Sequence, residues 1–186
     1  KDELGLANDE VLVLPDGEKQ KNFKNYIKIL DKAEKIGLTR ADAIIAIGGG
    51  VIGDITGFAA STYMRGIDFY NIPTTLLSQL DSSIGGKVAI DLGGVKNIVG
   101  AFYQPKAVII DPAVLKTLSE RQFNNGLAES IKMAATSDKE LFEMIENNNA
   151  EETIDTVIER SLKIKKAVVE EDEKELGLRK VLNFGH

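Results

Sequence analysis

The chain has 186 residues, 43% hydrophobic and 28% charged, proportions that fit a globular domain with a sizeable core. A formal net charge of −6 argues against sequence-independent nucleic-acid binding, which needs a cationic surface, yet a local group of Lys and Arg can still hold a small anion. There is no Cys, which excludes disulfides and thiolate metal sites; no apolar stretch is long enough to span a bilayer and no secretory leader is read at the start, so the expected setting is cytoplasmic, with no membrane partner.

Taken in order, the first half alternates short apolar runs with helical patterns. Val11 to Leu14 reads as a strand, Lys19 to Ile36 as a helix, Ala43 to Ile47 as a buried strand, and a helix follows from Ile52. Phe69 to Ile72 reads as another strand, followed by apolar runs at Thr74 to Leu80 and Ala107 to Ile110. Strands alternating with helices imply a parallel sheet with crossover helices. Beyond Asp111-Pro112 the texture changes to helices: Ser119 to Ala135, Lys139 to Asn147 and Glu151 to Val169. The fold class is therefore α/β, a Rossmann-like parallel sheet over residues 1–111 followed by a mostly helical domain over 112–186. Both edges read as cut, since few strands precede the glycine turn and no closing element follows His186.

The segment AIIAIGGGVIGDITGFAA, from Ala43 to Ala60, holds the strongest motif. Gly48, Gly50 and Gly53 form G-x-G-x-x-G directly after a strand, the context in which backbone approaches a pyrophosphate and helix amides face its charge. The same glycines can instead serve only close helix–strand packing. Asp16-Gly17-Glu18-Lys19 follows a strand end and is either a ligand turn or an ordinary acidic helix start. The Thr74-Thr75 hydroxyls either cap the next helix or bind a ligand. Asp81 to Lys87, with Gly85-Gly86, and Gly93-Gly94 before Lys96-Asn97 either converge on an anion or form a solvated hairpin. Glu129 and Lys132 stand one helical turn apart, so both can face one cleft, but spacing alone reads as a weak surface ion pair. A single His, at 186, makes no metal cluster by itself, since a catalytic zinc takes three protein ligands.

Together, GGGVIGD (48–54), YMRG (63–66), PTTLLSQLDSSIGGK (73–87), KNIVGAFYQP (96–105), GLAESIK (126–132) and GLRKVLNFGH (177–186) resemble, in order and spacing, the 3-dehydroquinate synthase family of sugar phosphate cyclases, relatives of glycerol and iron-type alcohol dehydrogenases. The resemblance runs from Val11 to His186. It implies an NAD- and zinc-dependent (or cobalt-dependent) lyase of the shikimate pathway that turns 3-deoxy-D-arabino-heptulosonate 7-phosphate into 3-dehydroquinate and phosphate. In that scheme transient oxidation acidifies a C–H, phosphate leaves, the hydride returns, and an intramolecular aldol closes the ring.

The resemblance also assigns residues. NAD contacts fall on Asp16, Gly17, Glu18, Lys19, Gly49, Gly50, Val51, Gly53, Asp54, Thr74, Thr75, Lys96, Val114, Leu115, Lys116, Thr117 and Asn125. Substrate contacts fall on Asp81, Lys87, Asn97, Glu129, Lys132, Lys165, Arg179, Asn183 and His186, with Lys132 and Lys165 also catalytic. Arg65 matches an arginine that crosses a subunit interface, implying a homodimer, and Glu175 matches a proton acceptor. Glu129 and His186 match two of three zinc ligands and are expected to converge on one cation beside a nicotinamide held over the glycine bend. Val88, Asp91 and Val95 depart from common family residues, which implies a variant loop and weaker nicotinamide binding. The missing third ligand implies an internal fragment that binds zinc poorly, turns over nothing alone and tends to associate. Rival expectations are a cyclase of the 2-deoxy-scyllo-inosose or valiolone type, a polyol dehydrogenase with net NADH release, and a nucleotide-binding module without chemistry. Arg179, Asn183, Lys165 and Asn97 favour a substrate bearing a carboxylate.

Overall fold

The computed structural model describes Gly5 and residues 7–184. These divide into two compact units that interleave along the chain: residues 1–47, 51–72 and 86–107 in one, residues 48–50, 73–85 and 108–186 in the other. The last crossing, after Ala107, falls close to the Asp111-Pro112 change of texture.

In the first unit, α1 (Phe23–Lys35) starts where the Asn22 side chain accepts the Asn25 amide at 3.0 Å. This start lies four residues beyond the expected Lys19, because residues 18–20 form a separate short turn behind Gly17, whose φ is +95°. Tyr26, Ile29 and Ala33 form the buried stripe of α1. Three strands, β1 (Ala43–Gly48), β2 (Asp68–Pro73) and β5 (Ala107–Val108), make a parallel sheet in the order β1-β2-β5. Between the first two runs α2 (Gly50–Thr62), buried along most of its length. Tyr26, Ile29, Ile55, Phe58, Phe69, Val88 and Ile90 form one core, with the Tyr26 and Phe58 rings stacked at 4.9 Å.

Two expectations need correction here. Val11 to Leu14 is not a strand: Val13 is 83% exposed, and no ladder partner lines up with the segment among the described residues. The glycine pair at 93–94 does close a hairpin, β3 (Lys87–Leu92) against β4 (Val95–Phe102), with Leu92 opposite Val95. Gly93 and Gly94 have φ of +61° and +83°, the left-handed pair that suits the twist of a tight hairpin. That hairpin is not simply solvated, since Val88 and Ile90 point into the core.

The second unit holds α3 (Glu120–Ser137), α4 (Lys139–Asn147) and α5 (Ile154–Glu171), close to their expected bounds. Leu76, Leu80, Leu115, Met133, Ile158 and Val168 form its main core. The Ser130 and Ser161 hydroxyls, both fully buried, bond to each other at 2.8 Å between α3 and α5. The run from Thr74 to Leu80 becomes a helical turn, ending in a π-helical stretch at Ser78–Ser82. Local side-chain bonding explains this: Thr75 Oγ1 accepts the Ser78 amide at 3.2 Å while Ser78 Oγ accepts the Thr75 amide at 3.1 Å.

Gly126 sets how closely α3 approaches that turn. A Cβ there would lie 2.6 Å from Leu76 Cβ and from the Leu77 backbone nitrogen. Gly126→Ala gains about 1 kcal/mol of helix propensity, but overpacking against backbone costs about 1–3 kcal/mol and wins. We expect the variant to unfold at lower urea concentration, with a net loss of up to about 2 kcal/mol; an unchanged or higher midpoint would refute this packing account.

Candidate functional site

Three glycines where β1 gives way to α2 share one physical reason. Gly49, Gly50 and Gly53 are absent from the left-handed residues, so turn geometry does not demand them. Close approach does: a Cβ would come within 3.0 Å of Thr75 Cγ2 at Gly49, 2.8 Å of Ser82 Oγ at Gly50 and 2.8 Å of Asn71 Nδ2 at Gly53. The close-packing reading therefore holds at Gly50 and Gly53. The first turn of α2 carries no acidic residue. Ser82 Oγ, beside Gly50, is buried with no hydrogen-bond partner among the described residues. A helix N-terminus and an orphaned hydroxyl suit a phosphate-bearing cofactor here. Thr75 is engaged in capping, and the Thr74 amide donates to Gly48 O at 2.9 Å.

Within the first unit a polar network gathers around the turn at Asp16–Lys19. Lys21, only 5% exposed, lies 3.1 Å from Asp54 Oδ2 and 3.3 Å from Glu18 Oε1, and Lys96 reaches Glu18 at 3.6 Å. Burial lowers the Lys21 pKa, but Asp54 and Glu18 outweigh it and the net direction is up. Sequence reading assigned Glu18, Asp54 and Lys96 and missed Lys21; the signal was Glu18 three residues before it. Asp16, Gly17 and Lys19 are exposed. On the hairpin, Asn97 has φ +55°, and its amide donates to Asp91 Oδ1 at 2.8 Å. The unusual Asp91 thus supports the local shape of Asn97, and the unusual Val88 fills core. Lys87 is exposed on β3; Arg65 is exposed with φ +70°, following Met64 at +48°.

In the second unit the charged residues converge. Lys165, on α5 and 4% exposed, donates to Asp81 Oδ1 at 2.5 Å and to the Asp81 backbone oxygen. Burial pulls the Lys165 pKa down, opposed by Asp81 and Glu129 and assisted by Arg179. On α3, Glu129 is 8% exposed and paired with Lys132 Nζ. This pair is not the ordinary surface bridge that its spacing allows. Asp81, Asn125, Glu129, Lys132 and Phe184 line one cleft. Arg179, 3% exposed, donates to Gly85 O at 3.2 Å and Glu173 O at 2.5 Å. Asn183 Nδ2 donates to Glu175 Oε1 at 2.8 Å. Leu115 sits in the core, while Lys116 and Thr117 are exposed and Val114 half-buried.

His186 lies outside the described residues, so its convergence with Glu129 has no geometry to report. Among the described residues, no three His, Cys, Asp or Glu side chains group as a metal site. Glu129 by itself is one hard oxygen donor, too few to hold a catalytic divalent cation.

The chain's α/β sheet, glycine bend and buried lysine–carboxylate cluster define a class that comparison makes specific. Models of the 3-dehydroquinate synthase N-terminal and C-terminal regions match residues 11–125 and 126–186. A 3-dehydroquinate synthase of Prochlorococcus marinus subsp. pastoris is 49% identical over 96% of this chain and 52% of its own length. Among solved structures, 2-epi-5-epi-valiolone synthase from Streptomyces hygroscopicus subsp. jinggangensis, with NAD+ and Zn2+ bound, is 33% identical at a TM-score of 0.88, covering 94% of this chain and 51% of that one. A 2-deoxy-scyllo-inosose synthase complexed with carbaglucose-6-phosphate, NAD+ and Co2+ is 30% identical at 0.86, covering 94% and 49%. The fold is that of the sugar phosphate cyclases. Within that class, the chain belongs to the 3-dehydroquinate synthase family. It spans about half the length of the curated relatives it matches.

Asp81→Asn tests the buried pair. Removing one partner of a buried ion pair costs about 3–5 kcal/mol. Because the folded Lys165 pKa lies below the unfolded value of 10.5, the unfolded chain binds the proton more readily between the two. Stability of the variant should therefore rise with pH across that window, and its deficit against wild type should shrink as pH approaches 10.5. Urea unfolding from neutral to alkaline pH measures this; a deficit independent of pH would contradict it.

Proposed function

We propose that the protein carrying this chain is a 3-dehydroquinate synthase, converting 3-deoxy-D-arabino-heptulosonate 7-phosphate to 3-dehydroquinate and phosphate. One observation carries the choice among cyclases: identity is 49% to a 3-dehydroquinate synthase but 33% and 30% to the valiolone- and inosose-type enzymes. The cofactors proposed are NAD and a divalent cation, as in those two solved structures. When bound, NAD supplies reversible hydride transfer and the cation polarises substrate oxygens.

The chain's own residues have the following proposed roles. The α2 amides and Gly49–Val51 bind cofactor phosphate, and Glu18, Lys21, Asp54 and Lys96 form a polar network assigned to the adenosine side. Val114 to Thr117 and Asn125 complete the cofactor contacts. Lys165 Nζ, held by Asp81, and Lys132 Nζ, held by Glu129, offer cationic hydrogen bonds to substrate oxygens. Burial pulls the Lys165 pKa down from its ordinary value, which makes Nζ a readier proton donor than an exposed lysine. Glu175 accepts a proton at a carboxylate oxygen, with Asn183 holding Oε1. Lys87, Asn97, Arg179 and Asn183 orient the substrate, and Glu129 with His186 contributes to holding the cation. Arg65 is proposed to reach substrate phosphate across a homodimer interface. The cytoplasmic setting follows from this biosynthetic role; no helix among the described residues is long and apolar enough to cross a membrane.

Phosphate release by the full-length protein tests the proposal. With NAD+ and Zn2+, release is expected from the carboxylate-bearing heptulosonate phosphate and not from sugar phosphates lacking that carboxylate, with no net NADH. Preferential release from a carboxylate-free sugar phosphate would favour an inosose- or valiolone-type cyclase, and accumulating NADH a polyol dehydrogenase. The 186-residue chain alone is expected to turn over neither substrate.

A further inference from the structure

After α5 ends, residues 172–179 (DEKELGLR), a stretch of mixed charge, turn back toward Arg179. Glu175 there has φ +58°, a left-handed conformation that costs an L-residue about 1–2 kcal/mol. Its offset is visible in one side chain. Asp172 Oδ1 accepts the Leu176 amide at 2.8 Å, and Oδ2 accepts the Gly177 amide at 2.7 Å and the Arg179 amide at 3.0 Å. The Glu175 amide donates to the Asp172 backbone oxygen at 3.3 Å. Arg179 closes the loop from the other side, its guanidinium bonding to Glu173 O and to Gly85 O. Hydrogen bonds from Gly177, Leu176 and Arg179, with the Arg179 charge, hold the Asp172 carboxyl below its usual range despite the burial that opposes them.

We infer that Asp172 is a positioning residue whose carboxylate fixes the backbone from Glu175 to Arg179, and so fixes where the Glu175 carboxylate and the Arg179 guanidinium are held. Its consequence for catalysis rests on the proposed synthase activity; the clasp itself does not. Neutral removal of the carboxylate frees three amides at once, and Glu175 loses the contacts that offset its left-handed backbone. A side chain displaced by about 1 Å from a reacting group can cost roughly a hundredfold in rate.

The test compares Asp172→Ala and Asp172→Asn with wild type in the full-length protein, reading amide exchange and phosphate-release kinetics together. For the alanine variant, exchange at Leu176, Gly177 and Arg179 should accelerate about tenfold or more, with the amides of α3 unaffected. Its kcat should fall roughly a hundredfold and its KM should rise as Arg179 loosens, with NAD+ affinity within about threefold of wild type. Asparagine keeps one acceptor oxygen and should recover part of both effects. Unchanged exchange at the three amides would overturn the clasp. Loss of kcat, NAD+ affinity and thermal stability in parallel would reduce Asp172 to a general stabiliser and overturn the positioning role. If wild type releases no phosphate, the synthase proposal fails, while the exchange data still decide whether Asp172 orders the loop.

Discussion

A lysine ammonium buried in a helical core is tolerable only when something charged meets it, and Asp81 meets Lys165 with both its carboxylate and its backbone oxygen. Much of the second unit follows from that contact. Asp81 lies in the short π-helical stretch after Thr75, so the turn at 74–82 must be placed against α5 closely enough for the pair to form. Gly126 lets α3 come within reach of the same turn, which brings Glu129 and Lys132 to the cleft that Asp81 lines. The pair is weak evidence for stability, because desolvating two ions costs several kcal/mol that their attraction only offsets.

The glycines carry a parallel lesson. G-x-G-x-x-G is usually read for what it lets a ligand approach, yet here the neighbours at van der Waals distance are Thr75, Ser82 and Asn71 side chains. Packing and cofactor binding are compatible, since crowding at the Cα positions does not itself block a helix N-terminus from facing an anion. A substitution at Gly50 would therefore disturb the turn at 74–82 directly, before any effect on a cofactor.

Legibility in the sequence followed local physics. Helices with strong three- and four-residue periodicity, α3, α4 and α5, were readable nearly to their ends, and so were β1 and β2. Val11 to Leu14 misled because apolar content says nothing of a ladder partner. Thr74 to Leu80 read only as an apolar run; Thr75 and Ser78, bonding to each other's amides, set its helical turn. The charged cluster was legible only through family resemblance: spacing alone made Glu129 and Lys132 a surface pair, and no pattern connects Asp81 to Lys165, 84 residues apart. Lys21 and Asp172 escaped because their roles lie in contacts with backbone and distant carboxylates that no motif encodes.

The most direct test is a crystal structure of the full-length protein with NAD+, a divalent cation and a non-reactive analogue of the heptulosonate phosphate. The account predicts the analogue in the cleft lined by Asp81, Glu129 and Lys132, with Lys165 Nζ and Lys132 Nζ bonded to its oxygens and the Glu129 carboxylate on the cation. An analogue bound elsewhere, leaving the Lys165–Asp81 pair buried and untouched, would contradict it.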